Sequence, residues 1–167
     1  MNRILTLSTA LVLAAAVAAD LPATKFVHED AAGKLAMIGE VAVVLTGDDH
    51  FITRVAEDVI TINLLSRGIR VRYPDENDFG KPRRERGADP LEVARSVGAN
   101  TLVTGTVVTE PPGEFEYRTV RIAIASLSVV DVPEDKTLLW VLYEPDDPVT
   151  ATAIARAFTA TMAEELK

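Results

Sequence analysis

Between residues 91 and 140 a short helical phrase, LEVARSVGA, runs into a β-rich stretch, NTLVTGTVV, and then, past a Pro-Gly turn, into two long apolar segments, TVRIAIASLSVVDV and TLLWVLYE. Three consecutive β-type runs joined by short turns form an antiparallel meander, and a meander this apolar must be covered by other elements. The first strand is expected over 101–109, with 110–114 as the hairpin connection. The second covers 120–132. There Val120, Ile122 and Ile124 share one face while Leu127 and Val129 share the other. A β-bulge near Ala125-Ser126 would restore one inner face. Pro133 to Lys136 make the next turn, and 138–143 is apolar on both faces.

Upstream, EVAVVL over 40–45 is a continuous apolar run, the pattern of a strand buried on both faces of an α/β sheet. The turn TGDD follows, with Thr46 or Asp48 as helix cap. A helix is expected over 49–67, closed by Gly68. At about 100° per residue, Phe51, Ile52, Val55, Val59, Ile62 and Leu65 form its broad face, and Ile60 and Leu64 fall nearly opposite, near Glu57. An apolar pair off the main stripe is either buried from a second side or contacts a partner. Residues 68–73 alternate as a strand that Pro74 ends. Asp89-Pro90 caps a short helix to Val97, with Gly98 closing it. Asp147-Pro148 is expected to begin the last helix, whose stripe is Ala151, Ile154, Ala155, Phe158, Met162 and Leu166.

The element order is therefore β-α-β-α-β-β-β-α, an α/β fold with a mixed sheet of about five strands and helices packed on it. The organisation reads as a signal peptide over 1–19, a flexible N-terminal arm over 20–38 and one domain over 39–167. The leader assignment rests on Arg3, an apolar stretch from Ile4 to Val17, and small residues at Ala16, Ala18 and Ala19 before Asp20. Cleavage leaves roughly 150 residues, enough for a real core. No transmembrane span is expected after cleavage.

The chain holds no cysteine. Disulfides, thiolate catalysis, cysteine zinc sites and a lipid anchor through cysteine are thereby excluded. A thiol-free exported chain suits the bacterial periplasm. The formal charge of −8 argues against nucleic-acid partners and against adhesion to anionic lipid.

Chemistry-bearing clusters are sparse. The turn LTGDDHF has one glycine and no lysine, so it is no phosphate loop, and Asp48, Asp49 and His50 read as a cap with exposed first-turn residues rather than a metal site. Glu110, Glu114 and Glu116 flank a hairpin turn and read as a solvated tip. Trp140 is expected to pack in the core or on the sheet surface. The basic cluster Lys81, Arg83, Arg84 and Arg86 stands out in an acidic chain and is a candidate grip for a partner, together with Ile60 and Leu64. No catalytic, cofactor or metal residues are assigned.

The phrases ARSVGANTLVTGTV and VRIAIASLSVVDVPEDKTLLW resemble a pattern in bacterial envelope proteins: the curli secretion channel subunit CsgG, the penicillin-binding-protein activator LpoB and TolB N-terminal-like domains. The matching positions are Ala94, Val97, Gly98, Ala99, Leu102, Val103, Gly105, Asp131, Leu139 and Trp140. The resemblance implies an α/β interaction or assembly module without catalytic residues. The family's lipid-bearing cysteine has no counterpart here, nor have the membrane-entering hairpins of the channel subunits. The expectation is a non-lipidated periplasmic protein that binds an envelope partner or itself. The alternatives are a small-ligand or cell-wall-polymer binding module and, behind it, a small hydrolase.

Overall fold

The computed structural model describes residues 21–31, 34, 38–72, 89–110 and 120–165. Its strands are β1 (Ala23–Val27), β2 (Glu40–Gly47), β3 (Arg70–Arg72), β4 (Thr101–Thr109), β5 (Ile122–Asp131) and β6 (Lys136–Tyr143). Its helices are α1 (His50–Ser66), α2 (Pro90–Ser96) and α3 (Ala151–Glu165). The strands form one mixed sheet in the order β1-β6-β5-β4-β2-β3. β2 pairs parallel with β3 and β4, and the remaining pairs are antiparallel.

The apolar run in β2 is explained by cover on both sides. Val41, Val43 and Leu45 enter the large core beneath α1 and α3, while Ala42 and Val44 face α2 with Ala94, Ala99, Leu102 and Val132. α1 and α2 thus lie on opposite faces of the sheet. α2 is capped by Asp89, as the Asp-Pro pair predicts, and Gly68 and Gly98 end their helices with positive φ.

Four sequence expectations are corrected. The segment expected to be a loose arm supplies a sixth strand. Ala23–Val27 pairs antiparallel with β6, from Ala23↔Tyr143 to Val27↔Leu139, and Ala31 just beyond it is fully buried. The bulge in β5 lies earlier than expected. The β4–β5 register shifts between Val108↔Ile124 and Thr109↔Ile122, so Ala123 is the extra residue. Ile122 therefore points inward and is fully buried, whereas Ile124 points outward.

The last helix begins at Ala151, with the Thr150 hydroxyl accepting from the Ala153 N–H, rather than at Asp147-Pro148. Val149 is held extended by two backbone hydrogen bonds with Ile122, of 2.7 and 3.0 Å, which delays the helix start. Finally, α1 is rotated from its expected phase. It buries Ile52, Thr53, Ala56, Glu57, Ile60, Thr61 and Leu64. Two polar members of that face have partners nearby: the Thr53 hydroxyl donates to the Asp49 carbonyl at 2.7 Å, and Glu57 accepts the Leu45 N–H at 2.8 Å. Satisfied in this way, polar side chains occupy the interior at little cost.

Candidate interaction surfaces

The turn after β2 is structural. Asp49 caps α1 by accepting the Ile52 N–H at 2.9 Å. Asp48 accepts the N–H of Thr109 at 2.9 Å and its hydroxyl at 3.1 Å, tying the end of β4 to the turn. Among the described residues no group of three or more His, Cys, Asp or Glu side chains is placed to hold a metal. His28 accepts the Asp30 N–H at 3.1 Å, and Asp30 is paired with Lys136.

Among the described residues, three carboxyls are held below their ordinary range. The Lys136 hydrogen bond lowers Asp30, and the Arg72 guanidinium, bonded at 2.8 and 2.9 Å, lowers Glu40. Burial pushes Asp48 up, but the Thr109 hydrogen bonds and its backbone contacts outweigh it. A depressed folded-state pKa contributes stability that is complete above the unfolded value and is lost as acid protonates the folded carboxylate. The thermal midpoint is therefore expected to hold from neutrality down to pH about 4.5 and to fall below it. A midpoint unchanged down to pH about 3 would contradict these pairings.

Among the described residues, large apolar side chains are exposed on two surfaces, on opposite sides of the sheet. On α1, Phe51, Ile62 and Leu65 are 72%, 62% and 47% exposed, with the Arg54–Asp58 pair between them. The second lies on the sheet face carrying α2, beyond the reach of that short helix. Strand register sets Thr104, Ser128, Trp140 and Phe26 in one row and Thr46, Thr106, Ser126, Leu142 and Thr24 in the next. Val108 and Ile124 pair beyond them. The Trp140 indole N–H donates to the Ser126 hydroxyl at 2.8 Å, which fixes the ring on this face. Phe26 stands beside it, about half exposed.

Of the residues proposed from sequence to meet a partner, Ile60 and Leu64 are in the core, 0% and 1% exposed, and are corrected to structural roles. Periodicity assigns the wrong side of α1 to solvent because Thr53, Glu57 and Thr61 are polar residues facing inward. Lys81, Arg83, Arg84 and Arg86 lie outside the described residues, as do Glu114 and Glu116. The open sheet face escapes sequence reasoning because its apolar residues come from four separate strands, and only pairing brings them together. No described helix is long and apolar enough to cross a membrane.

Neither a protein-family model nor a curated protein sequence matches the chain. Among solved structures, the PelC dodecamer from Paraburkholderia phytofirmans matches in two crystal forms, one of them of a point variant, at 18% identity. The TM-scores are 0.52 and 0.51, covering 86% and 87% of this chain and 99% and 96% of that one. TolB from Acinetobacter baumannii matches at 14% identity and TM-score 0.39, over 73% of this chain and 28% of that one. The LpoB C-terminal domain from Salmonella enterica matches at 11% identity and TM-score 0.32, over 64% and 84%. These last two superpose too loosely to carry an argument. The chain shares its mixed α/β fold with PelC.

Proposed function

We propose that this is an exported, non-enzymatic accessory protein of the bacterial envelope that works through protein–protein contact, including contact between its own copies. The observation that carries the reading is the exposure of large apolar side chains on opposite sides of one sheet, Phe51, Ile62 and Leu65 on one and Phe26, Val108 and Ile124 on the other. Two unlike patches on one molecule let it touch two neighbours at once. The PelC likeness supports self-assembly, because that protein of the same fold was crystallised as a dodecamer. The leader-like residues 1–19 support export.

The test uses the mature protein in sedimentation velocity and as bait for cross-linked envelope extract. Replacing Phe51 and Ile62 together by Asp is expected to weaken the recovered contact about tenfold or more. Both side chains are exposed, so the thermal midpoint should barely move. A wild-type protein that is monomeric and retrieves no partner sinks the reading, as does a double variant that behaves like wild type in both assays.

A further inference from the structure

The two edges of the sheet are treated differently. At one end β3 is only three residues long, and its Arg70 and Arg72 are drawn onto Glu40. Short length and charge are the usual means of blunting an edge. At the other end β1 is five residues long, and among the described residues no strand lies beyond it. Ala23, Thr24, Lys25 and Phe26 are all exposed. Its one lysine does not guard it, because Lys25 is tied back to Glu165 at the end of α3.

The backbone shows which groups are open. The His28 N–H donates to the Leu138 carbonyl at 2.8 Å, making His28↔Leu138 a hydrogen-bonded pair of the β1–β6 ladder. Such pairs alternate in an antiparallel ladder. Thr24 and Phe26 therefore spend their backbone groups on β6, and the N–H and C=O groups of Ala23, Lys25 and Val27 point away from the sheet.

We propose that β1 pairs antiparallel with β1 of a second copy across a two-fold axis at Lys25, joining two sheets into one. This rests on the self-contact part of the functional reading. In that register Lys25 meets the second copy's Lys25, and Ala23 meets its Val27, so every outward group finds a partner. Glu165 on each copy keeps the two ammonium groups from facing one another bare. On the open face, Phe26 meets the second copy's Thr24, so the row of Trp140 and Phe26 runs on into the second copy's row of Thr24 and Leu142.

The chain has no native cysteine, which makes the register directly readable. In a hydrogen-bonded antiparallel pair the Cα atoms lie about 5.5 Å apart, within the disulfide range of about 4.4–6.8 Å. Lys25→Cys should form a reducible dimer at least about tenfold faster than Glu134→Cys, an exposed control in the turn between β5 and β6. Lys25→Pro removes an outward N–H and spares the β1–β6 ladder. It should raise the dimer dissociation constant about tenfold or more, with the circular dichroism spectrum unchanged. Equal cross-linking rates at the two positions overturn the proposal. So does a wild-type protein that stays monomeric to about 1 mM. If self-association persists in Lys25→Pro but is lost on replacing Phe51 and Ile62, this interface is wrong while the functional reading stands.

Discussion

Gly105→Ala is expected to lower stability by about 3–5 kcal/mol, combining backbone strain with overpacking. Gly105 lies within β4, with φ of 151°, a conformation that side-chain-bearing residues rarely adopt. A Cβ there would stand 2.0 Å from the Ser126 carbonyl oxygen and 2.8 Å from the Leu127 Cα. Both obstacles are backbone of the neighbouring strand, so no rotamer change relieves the clash. β4 and β5 would have to separate at the middle of the sheet, between β2 and β6. Because a domain of this kind is stable by only about 5–15 kcal/mol, much of the protein would be unfolded on warming. Urea titration checks this, and a midpoint close to wild type would show that the strands part easily.

Phe158→Ala is the second large effect. Phe158 is fully buried on α3, within the stripe of Ile154, Ala155 and Met162 that closes the large core. Removing its ring costs the transfer energy of the deleted atoms and leaves a cavity, together about 3–5 kcal/mol. At about 3 °C per kcal/mol, the thermal midpoint should fall by about 10–15 °C. Calorimetry of the variant checks the figure. A fall of only a few degrees would mean that α3 settles into the space. Phe158→Leu should recover much of the loss, since it restores most of the volume.

Some of this architecture is legible in the residues because one physical cause acts alone. The β2 run is apolar since both sheet faces are covered, and the α3 stripe holds from Ala151 to Met162 because that helix has one buried side. Gly105, singled out by resemblance, has its reason in the close approach of Ser126. Other features have competing causes. Periodicity gives α1 the wrong phase because Thr53, Glu57 and Thr61 face inward, while Phe51 and Ile62 face out. β1 escapes notice because a largely exposed edge strand carries little apolar signal, and its partner β6 is distant in the chain. The open sheet face is a product of register and belongs to no single segment.

The extra residue at Ala123 has a consequence for how this protein can change. By shifting the phase of β5 it sends Ile122 inward, where its backbone grips Val149 ahead of α3, and turns Ile124 out to sit beside Val108. Exterior stickiness and the mooring of the final helix are thus set by the same insertion. A lineage that straightened this strand to make its outside more soluble would loosen its own C-terminal helix in the process.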